Sequence, residues 1–339
     1  MLELLVDNLP AINAHVQSLG WIPPNGQLAN PRPAGEGNMN RTLRFDCINC
    51  GDMTSVVLKQ AVPFVAKYPD IAAPIERGAA EAAFYHAAQN HPSLETRLPR
   101  LLGTDKANHL LAFEDLGQAA DLSTAYTDPK IQQRLDEFMQ PLLNWLGELH
   151  AIAPPVLQNI CMRELNHTHI FDLPLQSNNG LELGELADVA KRYAGDKALK
   201  AAANRLGELY IGKLQHSARS VLLHGDFYPG SWLGTLDDPS AVKVIDPEFA
   251  FVGPAEFDVG VCLAHLQFAG MTLDQASACL VHYTAPEGFD VRLAGGFAGI
   301  ELIRRLLGVA QLPLAEDTSV ATRKAWLETG CNLVLASAS

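Results

Sequence analysis

Ser220-Val221-Leu222-Leu223-His224-Gly225-Asp226-Phe227-Tyr228-Pro229-Gly230-Ser231 carries an acid out of an apolar run into a polar loop punctuated by glycine. The opening residues suit a short buried strand, and the loop begins at Gly225. Twenty residues after Asp226, a second run, Ala241-Val242-Lys243-Val244-Ile245, delivers Asp246-Pro247-Glu248 in the same manner. Two carboxylates at neighbouring strand ends fit a division of labour. Asp226 orients an acceptor hydroxyl and accepts its proton, while Asp246 holds magnesium on a nucleoside triphosphate. Each motif alone is more often a turn than an active site, because Asp and Gly are common turn formers. Their order and separation, with matching features upstream, favour phosphoryl transfer.

Glu248 lies two residues beyond Asp246 and is expected to share the metal or its water shell, and Ser231 offers a neutral oxygen ligand. His224, immediately before Gly225, is expected to hydrogen-bond structurally rather than act as a base. Far upstream, Gly35-Glu36-Gly37-Asn38-Met39-Asn40 forms a glycine turn. Without Cβ atoms, Gly35 and Gly37 let backbone N–H groups approach phosphates. Thr42 to Cys47 alternates as a strand, Asn49 to Met53 turns, and Thr54 to Gln60 returns, which places Lys59 on the second strand of a hairpin. An ammonium among apolar strand residues must meet a carboxylate or a ligand phosphate. Glu81, on the alanine-rich helix predicted over Ala73 to Gln89, is the expected partner, with Glu76 competing.

Leu4 to Leu19 has helical spacing broken by Pro10, and the proline-rich stretch from Ile22 to Pro33 reads as a linker. Leu110 to Phe113 is a compact strand ending in Glu114-Asp115-Leu116-Gly117, a turn that joins two lobes. The expected division is a nucleotide-binding lobe over residues 1–115 and a larger lobe over 116–339. In the latter, Ile131 to Ile152 forms a long amphipathic helix and more helices lie between Leu181 and His216. The fold class is α+β.

With 339 residues, 48% hydrophobic and 19% charged, the chain can bury a core in each lobe. Its net charge of −13 argues against nucleic acid or an anionic membrane as the main partner. No apolar run reaches the roughly 18 to 20 residues that span a bilayer, and the N-terminus lacks a signal-peptide pattern, so the cytoplasm is the expected location. The six cysteines, at 47, 50, 161, 262, 279 and 331, are too scattered for a disulfide framework. Cys47-x-x-Cys50 is half of a zinc knuckle without a second half and is read as structural.

These segments resemble the aminoglycoside phosphotransferase-like superfamily and, within it, the methylthioribose kinases. Gly35 to Asn40 is similar to the G-D-G-N-L-N loop of those kinases, and Val57-Leu58-Lys59-Gln60-Ala61-Val62-Pro63 to their V-K-Q-A-L-P strand. His224 to Ser231 resembles H-G-D-L-H-T-G-S, and Asp246-Pro247-Glu248-Phe249-Ala250-Phe251-Val252-Gly253-Pro254 is close to D-P-E-F-A-F-Y-G-P. Ile303-Arg304-Arg305-Leu306-Leu307-Gly308 is similar to a twin-arginine segment at the sugar site. Paired arginines in an apolar helix also suit a migrating phosphoryl group on physical grounds, while a salt bridge from Arg305 to Glu301 is the bland alternative. The sequence departs from the pattern in its shorter length, in Phe64 to Asp70 where a tryptophan loop is expected, and in Tyr228-Pro229 in place of His-Thr.

The resemblance implies a bilobal, protein-kinase-like fold with a small antiparallel-sheet lobe and a larger, mainly helical one. It implies an ATP- and magnesium-dependent kinase acting on the 1-hydroxyl of 5-methylthioribose in methionine salvage. In that reading Asp226, Arg304 and Arg305 serve catalysis. Gly35, Gly37, Asn38, Asn40, Lys59, Glu81, Glu114 and Leu116 contact nucleotide, and Asp246, Glu248 and Ser231 hold the metal. The partner is a neutral sugar, and dimers occur in the resembled family, so a homodimer is admitted. Two alternatives stay open: a kinase for an aminoglycoside, homoserine or choline, and a catalytically silent nucleotide-binding module.

Overall fold

The computed structural model describes residues 2–35, 37, 39–117, 119–214 and 219–338. They divide into two compact units. The first contains the chain up to Ala120 together with Pro155–Met162 and Ile245–Phe249. The second contains Asp121–Pro154, Arg163–Val244 and the chain from Ala250 onward.

The first unit is built on an antiparallel sheet of β1 (Gln27–Pro33), β2 (Arg41–Ile48), β3 (Ser55–Gln60), β6 (Leu101–Asp105) and β7 (Leu110–Glu114). Their spatial order is β1-β2-β3-β7-β6, so β3 is the central strand. Side chains alternate across it. Val56 and Leu58 join the core formed with Ile12 and Val16 of α1 (Leu9–Ser18), Leu28, Phe45 and Leu110, and Lys59 takes the opposite face. The stretch read as a linker therefore contains a strand. Pro31 and Pro33 are tolerated because β1 is the sheet edge, where a missing N–H costs no ladder bond, and the register slips between Ala29 and Arg32. Pro10 does not break the first helix. It occupies the first turn, where its absent N–H would have no partner. Phe64 to Asp70 lies mostly in a small hairpin of β4 (Phe64–Val65) and β5 (Tyr68–Ala72). The alanine-rich helix, α2, runs from Arg77 to Ala88.

The second unit is mainly helical, with α3 (Asp136–Ala151), α4 (Lys197–Tyr210), α5 (Glu256–Phe268), α6 (Val291–Leu307) and α7 (Val320–Ala336). The long helix predicted over 131–152 is two pieces, because a separate turn at Pro129–Gln132, capped by Asp128, precedes α3. β8 (Val221–Leu223) pairs with β11 (Phe251–Gly253), whereas β9 (Trp232–Gly234) pairs with β10 (Lys243–Val244). The two strands ahead of the key acids thus lie in different ladders rather than side by side. α5 is buried along its whole length and mostly apolar, although it also carries Glu256, Asp258, His265 and Gln267. α6 and α7 pack so closely that a Cβ on Gly299 would lie 2.5 Å from the Gly330 carbonyl. Among the described residues no helix is long and apolar enough to cross a membrane. Where α5 does carry polar groups, Asp258 and His265 are fully buried and each has a partner.

Candidate active site

In the first unit, Lys59 projects from the central strand between two carboxylates. Its Nζ donates to Glu81 Oε1 at 2.8 Å and to Asp246 Oδ1 at 2.7 Å. Burial alone would lower the ammonium's pKa, but Asp246, Glu81 and Glu248 outweigh it and hold the pKa well above its ordinary value. Lys59 is therefore a fixed positive charge. Burial pushes the Glu81 carboxyl up to about 7, against the pull of Lys59. Asp246 is the accessible member, with 44% of its side chain exposed. Its backbone is left-handed, φ 61°, a region that Asp adopts more readily than most residues and that is common at functional sites.

Glu248 is gripped differently. Its Oε2 accepts from Asn40 Nδ2 at 2.8 Å and lies 3.2 Å from Arg77 Nε, and its backbone carbonyl accepts from Asn159 Nδ2 at 3.0 Å. Arg77 is fully buried and also donates to the carbonyls of Pro74 and Met39 at 2.7 and 2.8 Å. Arg77 and Glu81 are four residues apart on one face of α2, so a single helix fixes both Lys59 and Glu248. Burial raises the Glu248 carboxyl, opposed first by Lys59.

Gly35 and Gly37 are exposed, and a Cβ on either would meet no atom within 4 Å. Packing does not demand glycine there, and the turn is open to a ligand. Asn38 lies outside the described residues. Glu114 ends β7 and Leu116 is half-buried in the following turn, which Arg44 fixes by an ion pair to Asp115 at 2.9 Å and a hydrogen bond to the Gly117 carbonyl at 2.7 Å.

In the second unit, a buried carboxylate underlies the loop that carries Asp226. Asp258 accepts from the N–H groups of His224 at 2.7 Å and Gly225 at 2.9 Å, and His150 Nε2 lies 3.3 Å from it. Gly225 has φ 86°, a conformation that a side chain would strain. The His224 imidazole accepts from the Asp226 N–H at 3.3 Å. Ser231 is buried, and its hydroxyl donates to the Asp226 carbonyl at 2.9 Å, closing the loop.

The Asp226 carboxylate faces arginine. Arg305 Nη2 lies 3.3 Å from Oδ1, while the other edge of the same guanidinium donates through Nε to Glu301 at 2.7 Å. The helix salt bridge and the site contact therefore coexist. Arg304 Nε lies 3.2 Å from the second Glu301 oxygen, a charge contact rather than an aligned hydrogen bond. Burial raises the Asp226 carboxyl, with Arg305 and Arg304 opposing. Burial would also raise Glu301, but the two arginines hold it well below the carboxylate range. Tyr228 lies under Arg305, whose guanidinium carbon is 5.0 Å from the ring centroid.

Lys59, Glu81, Asp246, Glu248 and Asn40 thus belong to one cluster of the first unit, and Asp226, Ser231, Arg304 and Arg305 to one cluster of the second. Arg77, Asn159, Asp258, His150 and His265 were missed from sequence. A faint signal existed for two of them: Arg77 sits one helical turn before Glu81, and Asp258 is an acid inside an apolar helix.

A model of the phosphotransferase enzyme family matches residues 51–278. Methylthioribose kinase of Exiguobacterium sibiricum is 28% identical, aligned over 91% of this chain and 86% of its own. Methylthioribose kinase 1 of Oryza sativa subsp. japonica is also 28% identical, over 72% of this chain and 57% of its own. Among solved structures, a choline kinase from Streptococcus pneumoniae superimposes with a TM-score of 0.54 at 11% identity, covering 95% of this chain and 98% of that one. At that identity the likeness concerns the fold, which is the protein-kinase-like α+β one.

Proposed function

We infer the reaction from a family: this chain belongs to the phosphotransferase enzyme family, and the similar methylthioribose kinases extend over most of it. It is a small-molecule kinase. The reading we favour is transfer of the γ-phosphoryl group of ATP to the 1-hydroxyl of 5-methylthioribose.

The observation that carries this reading is the charge balance around Asp226. Two carboxylates, Asp226 and Glu301, meet two guanidinium groups, Arg304 and Arg305, in a cluster whose Glu301 and Arg305 are buried and whose Asp226 and Arg304 are half-buried. Such a cluster suits a neutral hydroxyl acceptor and gives a cation such as choline no surplus negative charge. Asp226 holds the acceptor hydroxyl and accepts its proton as the new bond to phosphorus forms. Arg305, anchored by Glu301, offers a donor edge to the migrating group.

The first-unit cluster serves the nucleotide. Lys59, kept charged and aimed by Glu81, exchanges its contact with Asp246 for a phosphate oxygen, and the open turn at Gly35 and Gly37 contributes backbone donors. Glu114 and Leu116 are assigned to the nucleotide from their place in the turn after β7. The donor set also fits magnesium. Asp246 and Glu248 are hard oxygen ligands two residues apart, and no group of three or more His, Cys, Asp or Glu among the described residues forms a self-sufficient cage. Magnesium characteristically keeps water and phosphate oxygens in its shell. When bound it would offset the charge of the phosphate groups. Asp246 is the direct ligand, Glu248 is held beside it by Asn40 and Arg77, and Ser231 serves by closing the Asp226 loop.

ADP release measured against 5-methylthioribose, ribose, homoserine, choline and kanamycin tests the acceptor. We expect release dependent on methylthioribose, with a 1-phosphate product seen by phosphorus NMR. Turnover of choline or kanamycin instead would move the acceptor to the alternatives, and no turnover with any of them would favour a silent module. Asp246→Asn should weaken magnesium-dependent ATP binding at least about tenfold by calorimetry, as expected for loss of a direct ligand. Binding unchanged with and without magnesium would remove that role.

A further inference from the structure

Behind Arg305 runs a buried series of polar groups of which the reaction scheme uses only Glu301. Tyr126, 2% exposed, has its hydroxyl 2.6 Å from His265 Nδ1. His265 is fully buried on α5, and its Nε2 lies 3.1 Å from Glu301 Oε1 on α6. That same oxygen accepts from Arg305 Nε at 2.7 Å, and Arg305 Nη2 reaches Asp226 at 3.3 Å. The Tyr228 ring lies tilted at 48° to the His265 ring, centroids 4.8 Å apart, and beneath the Arg305 guanidinium. Chemistry fixes the direction of these bonds. A carboxylate flanked by two arginines only accepts, so Nε2 carries the proton, and Nδ1 accepts from the tyrosine hydroxyl. Burial pushes the His265 pKa down to about 4, so the ring stays neutral beside the two arginines.

We propose that His265 is a positioning residue for phosphoryl transfer: acting through Glu301, it fixes the Arg305 guanidinium against Asp226, and Tyr126 selects the imidazole tautomer that can do so. Without the imidazole N–H, Glu301 has only the arginines to orient it, and its side chain can turn toward Arg304. Arg305 then loses the bond that sets its plane. A displacement of about 1 Å at a group that touches the reacting atoms can lower turnover about 100-fold. The kinetic consequence rests on the function proposed above, whereas the positioning itself does not.

The test compares two amides. In His265→Gln the side-chain nitrogen extends as far as Nε2 did and can still donate to Glu301, while the shorter side chain of His265→Asn reproduces only the Nδ1 end. The Nε–H proton of Arg305, identified in a nitrogen–proton NMR spectrum by its loss in Arg305→Lys, should exchange slowly in the wild type. It should persist in His265→Gln and disappear in His265→Asn. With ATP and 5-methylthioribose, kcat should fall about 10- to 100-fold in His265→Asn and less than about threefold in His265→Gln, with KM for ATP unchanged within about twofold in both. Tyr126→Phe keeps the packing and should give an intermediate loss, which supplies a readout if His265→Asn does not fold. An unaltered Arg305 signal in His265→Asn, or equal kcat losses in the two amides at matched stability, would overturn the proposal. If the wild type does not turn over 5-methylthioribose, the acceptor assignment fails and the Arg305 signal still decides the positioning.

Discussion

Asp226→Asn should lower turnover about a thousandfold while leaving the affinity for ATP within about twofold. The exchange is nearly isosteric, so Phe227, the Ser231 bond to the residue 226 carbonyl and the Asp258 bonds beneath the loop all persist. What disappears is the ability to accept a proton, and that contribution is commonly about 10²- to 10⁴-fold. The amide oxygen can still take a bond from Arg305, but without charge, so the cluster of Glu301, Arg304 and Arg305 gains one net positive charge. That change disfavours a cationic acceptor further and does not touch Lys59, Glu81 or Asp246, which belong to the first unit. Turnover by ADP release and ATP binding by calorimetry therefore separate the two assignments. Parallel loss of turnover and ATP affinity would place Asp226 on the nucleotide instead, and retained turnover would remove it from the chemistry.

Local patterns made much of the fold and of the site legible. The β2–β3 hairpin was readable because alternation and turn residues are short-range signals, and with it the position of Lys59 on the return strand. Glu81 was readable as a partner because a single helix follows the hairpin. β1 was not, because two prolines argue against a strand unless it lies at an edge, and edge position is decided by β2 and β3 rather than by β1 itself. The pairing of β8 with β11 was equally hidden, since nothing local distinguishes that partner from β10. The supporting polar residues were the least accessible. Asp258 contacts a loop 33 and 34 residues away, and Tyr126 meets His265 across 139 residues. Each looks like a stray polar residue in sequence and becomes intelligible only when burial obliges it to find a partner.

Arg77→Met should be the most destabilising single change in the first unit, lowering the free energy of unfolding by about 3 to 5 kcal/mol in urea titrations. Methionine fills much of the space, so the loss is electrostatic rather than a cavity effect. Arg77 is fully buried and serves the Glu248 carboxylate, Asn40 and the carbonyls of Met39 and Pro74 at once. Its removal strands a buried carboxylate that keeps only Asn40 as a close donor to Oε2. The Pro74 carbonyl also loses its Arg77 donor, while that of Met39 keeps the Ala66 N–H at 3.3 Å, and each unsatisfied buried group costs about 1 to 3 kcal/mol. Arg77→Lys should recover little, because an ammonium cannot span four acceptors in the plane of a guanidinium. Glu248→Gln combined with Arg77→Met removes the stranded charge and should restore at least about 1 kcal/mol relative to Arg77→Met alone, a coupling that a double-mutant cycle reads directly. Additive losses in that cycle would mean that Arg77 holds the Met39 turn and not Glu248. The arginine would then serve the glycine turn alone, and Glu248 would owe its position to Asn40 and Asn159.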